Sequence, residues 1–448
     1  MNRFALTCLL AMCLTALPAA ADADNKRVPT YDVHVELLAK SPTPTLEQIA
    51  PYTDALGVYK YKVTKVRKGK LEHEVIGVVH WVRFLKQEQR ITKQNRGKSL
   101  RLRITPFEHM ADSLQTVYRS ELDGELDLPL YFDTGQKIDM PPDLKKRWNY
   151  GVDLSSMMPL FFEMKEQIKL VALGDCQAWF ANKAQNYWTE DNLETPVALN
   201  MCQQRSGLPF QKLMVDHYVT RLPNVEWVVL TWNPRFVSAA WKEHGRKAAQ
   251  FESSSGFQHD RANAEKAWTA DGKAKPWTIE RITADPRFMR VWRRRPWGWV
   301  YLAPDRHRFN PRGEVLKNQH KFGQYKFVPQ RWEIFEQIVK TLAERDIKVL
   351  VYTTPIHPET ARQKVKDKMG TDAAGYQDQV RRMHELEKQY PKHMFFYDLN
   401  NMGDNGLEDK DFENIDHVSA SGAEKVSRRV EAFRRKVEER LKQQAAAE

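Results

Sequence analysis

Cysteine is scarce in this chain of 448 residues. There are four, Cys8, Cys13, Cys176 and Cys202. No Cys/His group has the spacing of a metal-ligand set, which excludes a zinc finger or ribbon. No glycine-rich phosphate loop is present, which excludes the common nucleotide-binding signatures. No motif implies a metal or a cofactor. After the first residues there is no uninterrupted apolar run of the roughly 18 residues that a membrane-spanning helix needs. No internal repeat is visible.

What is present starts with an export signal over residues 1–23. Arg3 supplies the positive start, "FALTCLLAMCLTAL" the apolar middle, and Pro18 precedes "AAADA", whose small residues suit cleavage after Ala21 or Ala23. A lipoprotein reading of "LAMC" at Cys13 is disfavoured, because Met12 is large where a small residue is wanted. The expected product is secreted or periplasmic, with no transmembrane segment after signal cleavage. Cleavage removes Cys8 and Cys13. Cys176 and Cys202 then remain as a pair in an oxidising compartment, where a disulfide competes with two buried thiols.

The chain carries 70 Lys and Arg against 58 Asp and Glu, a net charge of +12. Such a protein is drawn to anionic polymers, or the charge simply keeps its surface soluble. Export argues against nucleic acid. With 42% hydrophobic residues, the chain has enough apolar material for two or three domain cores.

Residues 24–50 read as a flexible leader with "SPTPT" at 41–45. Period-two alternation follows in "GVYKYKVTKVRKG", "HEVIGVVHWVRFL", "SLRLRITPF", "SLQTVYRSEL" and "LDLPLYFD". These predict a small antiparallel barrel or sandwich domain over 24–138, and five strands would suit an oligosaccharide-binding-type barrel. "DMPPDLKKRW" marks a linker at 139–165. Beyond it, short apolar runs at 168–173, 225–230, 347–352 and 394–397 alternate with helical stretches at 210–222, 330–344, 376–390 and 421–443. That rhythm predicts an α/β domain over 166–440, a parallel sheet with helices on both faces and its site at the carboxyl ends of the strands. An Arg/Trp-rich insertion at 241–326 interrupts it with "RVWRRRPWGWVYLAPDRHRFNPRGE".

Three blocks bear chemistry. "ALGDC" ends a strand before a helix start. "VEWVVLTWNPR" ends a strand on Asn233. "FENIDHVSASGAEKV" sets His417 just before a helix. Over roughly 165–435 the chain resembles the SGNH (GDSL-like) hydrolase superfamily, a flavodoxin-like fold that cleaves esters. The resemblance puts Cys176 at the serine nucleophile position. It implies His417 as base and Asp416 or Asn414 as the group that orients it. Cys176, Cys202 and Asn233 become oxyanion donors. Trp232, Arg235 and His357 fall on the substrate side. The family's acid stands three residues before its histidine, where this chain has Asn414; the acid here is displaced to Asp416. An Asn orienter is workable with a thiol nucleophile. Because the first two family blocks aim at one oxyanion, the resemblance also makes Cys176–Cys202 a candidate disulfide, which would abolish the nucleophile.

The expected function is therefore an exported esterase or acyltransferase working on ester groups, O-acetyl among them, of a polysaccharide or acylated envelope substrate. The competing reading is an inactive relative that binds an anionic glycan. Each feature also has a plain structural alternative. Cys176 can be an inert thiol and His417 a capping residue. His357 can finish a turn. Asp175 is expected to bond loop N–H groups. Trp292, Trp297 and Trp299, with Arg293, Arg294 and Arg295, either stack on sugars or pack inward.

Overall fold

Residues 31–40 alternate apolar and polar side chains, with Val33, Val35 and Leu37 buried on one side. In the computed structural model they open a series of seven strands: β1 (Tyr31–Lys40), β2 (Ala55–Lys68), β3 (Val75–Phe84), β4 (Gln87–Glu88), β5 (Ser99–Pro106), β6 (Tyr118–Ser120) and β7 (Leu130–Asp133). The structure describes residues 28–125, 127–188, 192–239, 241, 244–268, 275–299, 326–359 and 373–448. The expected export signal and the stretch 300–325 lie outside the described residues.

β1 pairs antiparallel with β2 and β5, β2 with β3, and β5 with β7, while β3 pairs in parallel with β7. Those five pairings return to their starting strand, so β1, β2, β3, β7 and β5 make a closed, barrel-like sheet. β4 and β6 attach outside the ring. Val33, Val35, Tyr59, Tyr61, Ile76 and Val78 belong to its buried cluster.

Three sequence expectations need correction here. The supposed leader over 24–50 contains β1, a ring member. Its alternation is sound, but it is only ten residues long and sits between polar stretches. "SLQTVYRSEL" is not a barrel strand: it begins within the end of a helical turn, Ala111–Leu114, and holds the three-residue β6. The domain is not wholly antiparallel, since β3–β7 and β2–β6 run parallel.

The second sheet is all parallel: β8 (Leu170–Leu173), β9 (Ala198–Asn200), β10 (Trp227–Trp232), β11 (Lys348–Thr353) and β12 (Met394–Tyr397). Across the sheet the order is β12-β11-β10-β8-β9. The chain goes outward from β8 to β9, then crosses back to β10, so the order reverses between β8 and β10. Ligand crevices of open parallel sheets form at such a reversal, beyond the carboxyl ends of the strands. Every residue of β8 and β10 is buried, as expected of strands covered on both faces.

Five helices cover this sheet: α1 (Cys176–Ala181), α2 (Leu208–His217), α3 (Pro329–Ala343), α4 (Ala373–Gln389) and α5 (Ala420–Ala447). Side chains of α2, α3 and α4 pack with Val171, Val228, Leu230 and Val351. Side chains of α5, with Ala181 of α1, pack with Leu170, Trp227, Val229 and Leu350. Alternate residues of each strand thus serve opposite cores, the period-two consequence of a pleated chain. A hairpin of β13 (Phe412–Asn414) and β14 (His417–Val418) leads into α5.

The described part of the insertion is helical and bridges the two sheets. Ala284 and Met289 share a buried cluster with Val79, Trp81 and Phe132 of the barrel, and Ser113 donates to Glu280 at 3.0 Å. Its tryptophans pack inward. Trp292 and Trp299 are buried, and the Trp297 ring lies 4.9 Å from that of Trp292. Within the expected linker, Pro142–Arg147 forms a short helix. Among the described residues no helix is long and apolar enough to cross a membrane.

Candidate functional site

β8 climbs to Gly174, and only glycine fits there: a Cβ would stand 1.9 Å from Thr231 Oγ1 and 2.4 Å from Ala178 Cβ. This close approach lets the chain turn at once into α1. Asp175 caps the helix, its Oδ1 accepting from the N–H of Gln177 at 3.0 Å and of Ala178 at 3.4 Å. Cys176 then falls on the first helical position, partly exposed at the sheet's rim. The cap takes the next two N–H groups and not that of Cys176, and a first-turn N–H has no partner inside its own helix.

His417 arrives from the β13–β14 hairpin. Asn414 Oδ1 accepts the backbone N–H groups of both Asp416 and His417 at 3.0 Å, which tightens the turn. The same turn sets His417 Nδ1 at 2.9 Å from Asp416 Oδ1 and 3.1 Å from Asn414 Oδ1. Cys176 lies close enough to favour the charged imidazole, and the Phe180 ring meets it edge-on at 5.3 Å. Burial pushes the His417 imidazolium to deprotonate; Asp416 and Cys176 outweigh this and hold its pKa well above the ordinary histidine range. Burial likewise opposes ionisation of Asp416, but His417, Arg235 and Gln177 hold it well below the ordinary carboxylate range. Asp175 behaves oppositely: burial raises it, and Arg235 and His417 offset that only in part.

Cys176, His417, Asp416 and Asn414 are therefore brought together, with Asp416 and Asn414 sharing one ring nitrogen. The expected oxyanion donors are arranged differently. The Asn233 amide is buried and donates to Gln177 Oε1 at 2.7 Å and, more weakly, to Asp175 Oδ2 at 3.5 Å. The Cys202 N–H is spent on Asn200 Oδ1 at 3.0 Å. Of the three, only the Cys176 N–H is not engaged in this way.

The expected substrate residues also serve other ends. Trp232 is buried, donates from its indole to Gln379 at 2.9 Å, and packs on Trp332 and Phe335. Arg235 reaches Asp416 Oδ2 at 3.2 Å while its backbone N–H and Nε rest on Asn233 Oδ1. His357 is buried, lies 3.0 Å from Asp409 through Nε2, and donates its backbone N–H to Ile415 at 2.9 Å, so it braces the hairpin that carries His417. Cys176 and Cys202 are both free thiols. The Cys202 thiol is fully buried beside Asn182, and burial, with further contributions from Asp175 and Cys176, raises its pKa.

Sequence reasoning missed Gln177. Its Oε1 accepts from Asn233 and, at 2.8 Å, from Thr354, which fixes the amide's orientation. Its Nε2 makes no short hydrogen bond among the described residues, yet Gln177 still favours the ionised form of Asp416. The available signal was a lone amide in the otherwise apolar helix that follows Cys176. Among the described residues no group of three or more His, Cys, Asp or Glu side chains is placed to hold a metal ion.

Compared with known proteins, the chain matches no family model and no curated sequence.

Proposed function

We propose that this is an exported, thiol-dependent esterase or acyltransferase with an SGNH-like, flavodoxin-like catalytic domain. The observation that supports it best is His417, held by Asp416 at 2.9 Å and close enough to Cys176 for the thiol to favour its charged form. Those are the three parts acyl transfer needs: nucleophile, base and orienting group. The Cys176 thiol gives its proton to His417 as the sulfur attacks the ester carbonyl. The developing oxyanion takes the Cys176 N–H. As the tetrahedral species collapses, the carbon–oxygen bond breaks and His417 returns the proton to the leaving alkoxide. Water or an acceptor hydroxyl then attacks the thioester with His417 as base again, and the thiol is restored. Asp416 keeps the imidazole aimed and favours its charged form throughout. The net charge of +12 suits an anionic, ester-bearing polysaccharide of the envelope.

A specific observation favours the second reading, an inactive protein of this fold that binds an anionic glycan. Two of the three expected oxyanion donors, the Asn233 amide and the Cys202 N–H, already have partners. An aryl acetate assay with thiol counting separates the two readings. Under the first, the reduced protein turns over the ester, and one thiol, Cys176, reacts natively while Cys202 reacts only after unfolding. Absence of turnover in fully reduced protein sinks the enzyme reading.

A further inference from the structure

A recess lies away from Cys176, where the barrel meets the α/β domain. It is a cleft of about 410 Å³, within the usual size range of small-ligand sites. Barrel residues such as Trp81 form one wall, Trp148 after the linker helix another, and Trp277 with Arg281 of the insertion a third. The Trp81 indole N–H is buried and has no partner among the described residues.

The charges around the cleft are unevenly spent. Glu163 and Asp285 are both taken by Arg287, at 3.0 and 2.7 Å. Asp260 accepts from the hydroxyls of Tyr150 at 2.7 Å and Tyr218 at 3.1 Å, and Asp54 accepts the Leu85 N–H at 2.6 Å. Arg147, in contrast, is exposed and makes no hydrogen bond or ion pair among the described residues. Arg281 lies over the Trp277 ring at 3.9 Å and gives only Nη1 to backbone carbonyls. Two of the acids are paired with Arg287 and two accept from neutral donors, while Arg147 and Arg281 retain free donors beside an aromatic wall.

We propose that this cleft holds a sugar ring bearing a carboxylate, with its C–H face on Trp148 and its carboxylate on Arg147 and Arg281. A pyranose face is apolar enough to cover an indole, and a carboxylate matches the forked donors of a guanidinium. The inference does not depend on the chemistry at Cys176: it places a polymer-holding subsite on the same chain, whatever reaction follows.

The test is calorimetric titration of the full-length mature protein with a short oligouronate, beside a neutral glucan of equal length. Saturable binding of the oligouronate, weakened by salt and much tighter than the neutral arm, is expected. Arg147→Ala and Trp148→Ala should each lower affinity about tenfold, the loss of one charge-assisted or stacking contact, and Trp148→Phe should restore most of it. Turnover of a small aryl ester should be unchanged in Arg147→Ala, so a failure here stays separate from a failure at Cys176. No saturable binding, equal binding of the neutral glucan, or binding that both alanine variants leave intact overturns the proposal.

Discussion

Two of this molecule's histidine–aspartate pairs, one in each sheet domain, have different fates. In the barrel, His80 has no exposed surface. Its Nδ1 lies 3.3 Å from Asp133 Oδ2 and its Nε2 lies 3.0 Å from the Tyr61 hydroxyl. At the rim of the parallel sheet, His417 has Asp416 at 2.9 Å and Cys176 nearby, and the thiol is partly exposed. The pairing alone is not a functional signature. The barrel pair ends on a phenol inside a sealed core, which holds strands together. The rim pair lies beside a partly exposed thiol.

The sharpest way to break this contrast is to delete both histidines. His417→Ala or Cys176→Ala should cut aryl ester turnover at least ~10³-fold, the scale for losing one member of a catalytic unit. Turnover in His80→Leu should stay near wild type, and equal losses in the two would erase the distinction. Next in size is Gly174→Ala, where the added methyl meets Thr231 and Ala178; urea unfolding should show a loss of about 3 kcal/mol, the upper range for overpacking. His80→Leu should cost about 2 kcal/mol in the same measurement, because it leaves the buried Tyr61 hydroxyl without its hydrogen-bond partner.

Arg235→Ala should lower kcat about tenfold at little changed KM, as removing a charge-assisted contact to Asp416 loosens the orienting group rather than the substrate. Arg235→Lys should recover part of it and shift the pH profile back. The smallest effect is on stability against pH. The raised pKa of His417 gives stability that is full below its unfolded value, near pH 6.5, and lost as pH rises through the folded value. The lowered pKa of Asp416 gives stability present above about pH 4 and lost as pH falls through the folded value. The melting temperature should therefore decline on the alkaline side of neutrality, and His417→Gln should flatten that decline.

Much of the parallel sheet was legible, because strands buried on both faces leave short apolar runs and amphipathic helices leave a 3.6-residue rhythm. The run at 394–397 coincides with β12, and α3 and α4 fall within a few residues of their expected places. The barrel was read less well. Its strands alternate only where a neighbour buries one side, so β1 passed as a leader, while 113–122 looked like a strand without belonging to the ring. At the site, Cys176 and His417 were legible from the turn and helix-start signals around them. The partners of Asn233 were not: whether its amide faces a void or Gln177 depends on side-chain orientations contributed by residues 56 positions apart. The same is true of Arg235, whose carboxylate lies 181 positions away.

The insertion is fastened to α1 by a pair of reciprocal hydrogen bonds. Trp179 donates from its indole to Gly298 O at 3.1 Å, and Trp299 returns the bond to Phe180 O at 2.8 Å. Gly298 takes a left-handed turn, φ +79°, against the Asn200 carbonyl, where a Cβ would come within 2.0 Å. Both bonds end on main-chain oxygens, so the clasp needs two indoles and one glycine and is indifferent to the neighbouring side chains. Neighbouring side chains, the exposed Arg294 among them, can therefore be exchanged while the clasp stays shut.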